Sequence, residues 1–373
     1  MARSGDNAQP GTSRNSPPNS PPSSVNSPRT AKNKPKASLL RQQKLPAWQP
    51  ILNAATVIPM IFGVGIVFLP IGIVLFLAAN GVTESDFLYS CKKTIVTDPD
   101  IYNQYRNIND CNITLQLSEK FEGDVYFYYR LENYFQNHRR YLKSRSDKQL
   151  LGNLEAVSDC QPYDRANSSS NTQPAYAPCG AVANSMFNDT FKLFYNGNQV
   201  PFTYKGVVWE VDKNVKFKNP TCADCKTLAE AFKGTVKPKN WMKPVYELDL
   251  ADPNNNGFLN TDLIVWMRTA ALPDFRKLYR ILDRPANSIF ANGLPAGNYT
   301  LTVQDNYPVD DFHGKKHFII STTSWAGGKN LFLGITYMVV GSLCILLGLV
   351  FLVIHMNFGS SLRELANIQD SMH

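Results

Sequence analysis

The sequence predicts a membrane protein in which two transmembrane α-helices flank a large, disulfide-stapled, strand-rich ectodomain with some helix. Three observations predict it. Two long segments, Leu45 to Thr83 and Asn330 to Ile354, carry no charged residue. Six of the seven cysteines lie between them. So do all four Asn-x-Ser/Thr glycosylation sequons, at Asn112, Asn167, Asn188 and Asn298. The whole-chain mean hydropathy of −0.25 averages over these extremes and conceals them.

Residues 1–50 form the first region. They hold eight Lys/Arg against one acidic residue and so account for most of the formal charge of +8. Up to about residue 36 the composition is Ser, Pro and Asn without aromatics, which cannot bury a core and predicts disorder. Ser16, Ser20 and Ser27 each precede a proline. They read either as phosphorylation sites or as incidental pairs in a solvated tail. The juxtamembrane stretch Leu39 to Pro50 carries Trp48, a residue suited to the membrane interface and a candidate partner contact. A basic tail beside an apolar span is a topology signal, since Lys and Arg stay on the cytosolic side. It is not a nucleic-acid footprint, because no basic fold or groove accompanies it.

The first span, 51–80, contains the run Ala54 to Ala79. As a helix that run extends roughly 39 Å, against a hydrocarbon core of about 30 Å, so tilt or kinking is expected. Pro59 and Pro70 are the expected kink points. The span begins after fifty residues, which marks a retained signal-anchor rather than a cleaved signal peptide. The second span is Leu331 to Ile354. Two spans with the basic tail inside place both termini in the cytosol, residues 81–330 in the lumen or outside, and 355–373 as a short cytosolic tail. Gly334, Gly341 and Gly348 recur every seven residues, and Gly65 and Gly72 do the same. Small residues let membrane helices approach closely. The spacing fits the two spans packing on each other, or either one docking on a larger membrane partner.

Cys344 sits in the second span as an apolar filler. The other six are Cys91, Cys111, Cys160, Cys179, Cys222 and Cys225, an even number that fits disulfides in an oxidising compartment. Six cysteines allow 15 pairings. Proximity favours Cys91–Cys111, Cys160–Cys179 and Cys222–Cys225. Each of the first two closes a loop near 20 residues, worth about 3 kcal/mol by chain entropy. Cys222-x-x-Cys225 also has the form of a redox motif or half a zinc site, though no second pair completes the latter.

Within the ectodomain, Asn196-Gly197 between FKLFY and VPFTY is a hairpin signal. Residues 206–211, 214–218, 298–304 and 316–325 read as strands. Leu131, Phe135, His138 and Leu142 recur at helical spacing, predicting a helix over 131–143. It ends in a basic cluster containing Arg139 and Arg140, either a solvated helix end or a docking point for acidic loops of a partner. Asp252 to Leu263 mimics a calcium loop, but position 12 is leucine where a bidentate Glu belongs, so an Asn/Gly turn capping the next element is expected. His313 and His317 lack the intervening Glu of a metalloprotease helix. There is no GxSxG and no Walker loop. The expected function is therefore binding or accessory rather than catalytic, with no cofactor.

Long strings carry a resemblance. KLPAWQP (44–50), FEGDVYFYYRLENYFQNHRRYLKSR (121–145), APCGAVANSMFNDT (177–190), KNVKFKNP (213–220), DPNNNGFLNTDLIVWMRTAALPDFRKLYR (252–280), LPAGNYTLTVQDNYPV (294–309) and SWAGGKNLFLG (324–334) resemble the cell-division-control-50 family. The resemblance covers residues 40 to 355 in order. It implies an ectodomain built on antiparallel sheet, glycosylated and bridged at Cys91–Cys111 and Cys160–Cys179. It implies a non-catalytic β-subunit of a type IV P-type ATPase. By the same resemblance, the partner's catalytic α-subunit is expected to hydrolyse ATP and move phosphatidylserine or phosphatidylethanolamine to the cytosolic leaflet. The resemblance further implies that the subunit serves folding, exit from the endoplasmic reticulum, and delivery to Golgi, endosome and plasma membrane. Many members carry two more cysteines in the first loop, whereas residues 92–110 here have none. Two readings from other classes remain. A two-span cation channel needs a polar pore lining, but the second span offers only Thr336, Tyr337 and Ser342. A lumenal cargo or glycan receptor needs an exposed carbohydrate groove.

Overall fold

In the computed structural model, residues 38–40, 45, 53–91, 110–166, 173–286 and 288–359 are described. Trp48, Asn167, the Ser-Pro pairs and the C-terminal tail beyond 359 lie outside them. The chain divides into two units at Thr56/Val57. In the first, Asn53 Oδ1 accepts from Thr56 N at 2.9 Å and caps the opening turn of the first long helix.

In the second unit, nine strands build two antiparallel sheets. They are β1 (Glu84–Tyr89), β2 (Asp110–Leu117), β3 (Tyr126–Glu132), β4 (Thr190–Tyr195), β5 (Asn198–Gln199), β6 (Phe202–Thr203), β7 (Phe275–Leu282), β8 (Gly297–Gln304) and β9 (Lys315–Ser321). The first sheet runs β1-β9-β3-β7-β6 and the second β2-β8-β4-β5. Four helices matter here: α1 (Ala54–Asn80), α2 (Glu210–Lys216), α3 (Thr261–Met267) and α4 (Phe332–Phe358). Thus α1 and α4 bracket the sheets, as the charge-free segments require.

Period-two burial makes the strands. Phe127, Tyr129 and Leu131 of β3 are buried while their neighbours are half-exposed. Phe191 and Leu193 of β4, Tyr299, Leu301 and Val303 of β8, and Phe318 and Ile320 of β9 join them in one apolar core. Phe191 of the second sheet meets Phe318 of the first with ring centroids 4.9 Å apart. The bridge Cys91–Cys111 ties the end of β1 to β2, and so one sheet's edge strand to the other's.

The Asn196-Gly197 turn joins β4 to β5, with φ of 48° and 80°, the backbone that two-residue hairpins need. The return strand then leaves: Phe202–Thr203 pairs with β7 in the other sheet. Strands expected at 298–304 and 316–325 appear as β8 and β9, the latter ending at Ser321.

Two expectations are corrected. Residues 131–143 are not one helix. Leu131 belongs to β3, Asn133 turns the chain at φ 60°, and only Arg139–Lys143 makes a helical turn. The alternation of YFYYRLE, with both neighbouring strands in place, outweighs the fortuitous three-to-four spacing. Residues 210–216 are a helix, α2, not the end of one strand and the start of another. Its acidic first turn, basic last turn and Asp212–Lys216 ion pair at 2.8 Å suit a helix, and its Val211 and Val215 are exposed rather than sheet-forming.

The asparagine-rich run does cap the next element. Asn260 Oδ1 accepts from Leu263 N at 3.1 Å at the start of α3, and Asn256 and Asn255 bind backbone at Tyr246 and Thr261. Their side chains serve the turn itself.

Candidate functional site

The helix pair comes first. Along α1 the buried residues are Ile58, Gly65, Gly72 and Ala79, and along α4 they are Gly334, Gly341 and Gly348, a strict seven-residue period on both. That period keeps one seam facing the companion helix. A Cβ on Gly72 would lie 2.7 Å from Met338 N, and one on Gly334 would lie 2.7 Å from Phe76 N. Gly65 faces Gly341 and Ile345, Gly341 faces Leu69, and Gly348 faces the Phe62 ring. All five expected glycines thus close an antiparallel contact inside the chain. The outer faces are apolar and uncovered, among them Ile66, Val67, Val74, Val339, Leu343 and Leu346. Helix α1 continues through both Pro59 and Pro70.

The junction is a continuation of the sheet. Thr322 N donates to Thr83 O at 2.9 Å, and Thr83 N donates to Thr322 Oγ1 at 3.0 Å. The β1–β9 ladder starts one residue further, with Glu84 opposite Ser321. Glu84 accepts from Arg276 Nη1 at 2.7 Å and from Ser321 Oγ at 2.8 Å. Gly81, Val82 and Thr83 on one side, and residues 322–331 on the other, separate helix from ladder. The α1 side thus joins its strand through three residues, and the α4 side through ten, with Thr322 bonded to Thr83 between them.

Deeper in the head lies a buried charge cluster that links the sheets. Lys316 of β9 bonds Asp189 at 2.6 Å, Tyr307 O at 2.7 Å, and Asp305. Asp189 also accepts from Tyr89 Oη at 2.8 Å and from the amides of Asn306 and Tyr307 at 2.6 Å each. Burial pushes the Asp189 carboxyl above its usual range, against the opposing pull of Lys316. Burial and the neighbouring Asp189 push the Tyr89 hydroxyl up as well. Sequence reasoning missed this cluster. Its signal was a lysine in register with Phe318 and Ile320 on the inward face of a strand.

Cys160–Cys179 anchors a smaller core with Val157, Ala175 and Tyr176. Gln149 clamps it, donating to Tyr176 O at 2.7 Å and accepting from Cys179 N at 2.8 Å. Trp266 and Trp241 donate to the Val182 and Ala183 carbonyls at 2.7 and 2.8 Å. Cys222 and Cys225 are paired with each other.

Asn112 and Asn298 are exposed on the outward face of the second sheet, on β2 and β8. Asn188 is half-buried beside Asp189 and lines a cavity of about 330 Å³ with Trp241, Asp262 and Arg280. Of the charged residues lining it, Asp262 and Arg280 pair with each other: Arg280 forks onto Asp262 at 2.5 and 2.9 Å. Arg139 and Arg140 are exposed on the Arg139–Lys143 turn. Trp209, Val211 and Val215 form an exposed apolar strip on and beside α2, with the Arg268 guanidinium 5.3 Å from the Trp209 ring. Among the described residues no three His, Cys, Asp or Glu side chains gather as a metal site.

Comparison with known proteins bears on this arrangement. Residues 75–361 match the model of the LEM3 (ligand-effect modulator 3) / CDC50 family. Cell cycle control protein 50A of Bos taurus is 50% identical over 347 residues, covering 89% of this chain and 92% of that protein. Cell cycle control protein 50B of Homo sapiens is 44% identical, covering 87% of this chain and 94% of that protein. ALA-interacting subunit 3 of Arabidopsis thaliana is 37% identical, covering 87% and 86%.

Proposed function

The chain belongs to the CDC50 family, and from that premise we propose that it is the non-catalytic accessory subunit of a type IV P-type ATPase. Its catalytic partner hydrolyses ATP and moves phosphatidylserine or phosphatidylethanolamine from the exoplasmic to the cytosolic leaflet. Both termini are cytosolic, and the sheet domain is lumenal or extracellular. The pair forms in the endoplasmic reticulum and travels together to Golgi, endosome and plasma membrane.

One observation carries the reading: a head with its own core is coupled, through the Thr83–Thr322 junction, to two helices whose outer faces remain apolar and uncovered. Such a body has broad contact surface for a membrane partner. An accessory chain acts by binding one conformation of its partner better than another. The three-residue connection from α1 to β1 would carry that preference between membrane and head. The sugar-bearing outward face of the second sheet, with Asn112 and Asn298, points away from any tight interface. The exposed Arg139–Arg140 turn and the Trp209 strip are the head's contact candidates. The test is co-expression with a type IV catalytic chain. Deleting this subunit should leave the partner in the endoplasmic reticulum without lipid-stimulated ATP hydrolysis. Normal delivery and turnover without it would overturn the reading.

A further inference from the structure

Where α1 ends and α4 begins, the structure leaves a cleft of about 340 Å³. Its floor is apolar: Leu75 and Ala79, one turn apart on α1, and Leu333 in the first turn of α4. Its roof is polar, with Arg276 of β7 and the chain from Ala326 to Asn330. An apolar floor between two lipid-length helices, under a cationic roof, lies where hydrocarbon gives way to headgroups.

Arg276 is held ready. Glu84 accepts from Nη1 at 2.7 Å, and the guanidinium lies 5.0 Å from the Tyr128 ring. Nη2 points toward Gly328, where a Cβ would come within 2.9 Å of it. Glycine at 328 thus keeps that donor open to the cleft. Lys329 is exposed in the same turn, so Arg276 and Lys329 outweigh Glu84 by one positive charge. The first turn of α4 holds no acidic residue, which leaves its partial positive charge uncompensated. Trp325, 76% exposed and one residue before the cleft lining, suits an interfacial anchor.

We propose that this cleft binds a glycerophospholipid of the leaflet adjoining the sheet domain. Arg276 Nη2 and the Lys329 turn take its phosphodiester, and the groove between Leu75, Ala79 and Leu333 takes the start of an acyl chain. Recognition is of the phosphate, so choline and serine headgroups are both accepted. The site makes the subunit's junction, the segment that couples helices to head, responsive to lipid. The proposal requires that α1 and α4 lie in a bilayer, and it does not depend on the identity of the partner.

The test uses the full chain in phosphatidylcholine nanodiscs. Three probes carry the same diazirine near the glycerol end of one acyl chain: a phosphatidylcholine, a phosphatidylserine and a diacylglycerol. Both phospholipid probes should label the Leu75–Ala79 and Leu333 region. The diacylglycerol should label it about tenfold less, the loss expected for one charge-assisted bond. Arg276→Gln, and independently Gly328→Leu, should bring phospholipid labelling down to the diacylglycerol level. Equal labelling by diacylglycerol in the unmodified protein overturns the proposal without reliance on any variant. Unchanged labelling in Gly328→Leu does so as well.

Discussion

The helix pair and the head solve the same problem with opposite materials. In the membrane segment, close contact comes from missing side chains: of five glycines at seven-residue intervals, four meet backbone of the companion helix and Gly348 seats the Phe62 ring. In the head, contact comes from large ones, with Phe121, Phe127, Trp266, Tyr299 and Phe318 fully buried. Water drives the second arrangement and is absent from the first, where lipid is as apolar as leucine and only packing discriminates. The head can also bury charge, because neighbouring dipoles and counter-charges hold it. The helices contain none. The consequence is a division of labour. The head is specified internally, by bridges and a charge cluster, whereas the helices are specified along one seam and leave their outer faces to lipid or partner.

Four tests break or sharpen that contrast. The largest effect is expected for Lys316→Met, which leaves Asp189 and Asp305 buried without their cation and costs about 3–5 kcal/mol. The midpoint of denaturant unfolding should fall accordingly, and adding Asp189→Asn should recover part of it. No recovery would mean the cluster is not a charge balance. Next is Cys160→Ser, which releases a bridge worth about 3 kcal/mol and the small core around it. Its glycans should stay sensitive to endoglycosidase H, reporting retention in the endoplasmic reticulum. Normal maturation would show that the bridge is dispensable.

Third, Gly72→Leu forces a side chain into the α4 backbone, an overpacking cost of about 1–3 kcal/mol. Gly63 supplies the control, since nothing lies within 4 Å of where its Cβ would be. Gly63→Leu should leave the hairpin's thermal stability in detergent unchanged, while Gly72→Leu lowers it. Equal effects would abolish the distinction between seam and outer face.

The smallest is a pH dependence. Burial, with Arg268 adding to it, pushes the Lys277 ammonium down to about 7. The carbonyls of Val265, Trp266 and Arg268 at the end of α3 accept from Nζ. The unfolded chain then binds the proton more tightly than the fold does between about pH 7 and pH 10. Stability should therefore rise with pH across that window in the parent and less steeply in Lys277→Met. Parallel profiles would contradict a buried, downshifted lysine.

How much of this was readable beforehand also divides by region. The helices were legible because their signal is composition over more than twenty residues, and the glycine period was visible as a period. Strands β8 and β9 and the Asn196-Gly197 hairpin were legible because alternation or turn chemistry is local. Helix α2 was not, because Val211 and Val215 carry strand propensity while its ion pairs and exposure decide otherwise. The supposed helix at 131–143 failed for the converse reason: β3 needs β9 and β7 beside it, and pairing partners 140 or more residues away leave no local trace. The glycine seam left its two possible partners open until the companion helix was in place. The Lys316 cluster and the Arg276 cleft join residues far apart in the chain, from β9, β1 and the residue before β4 in one case and β7, α1 and α4 in the other. Each residue was visible alone; only the packing of the two sheets and the helix pair brings them together.

The central claim is that this chain is one half of a membrane complex. It is tested most directly by affinity purification of the full chain in mild detergent from its own cells, with mass-spectrometric identification and stoichiometry of what is retained. The account predicts a single large P-type ATPase chain of the type IV class at one copy per copy of this protein. Recovery of the chain alone, or only with further copies of itself, would contradict it.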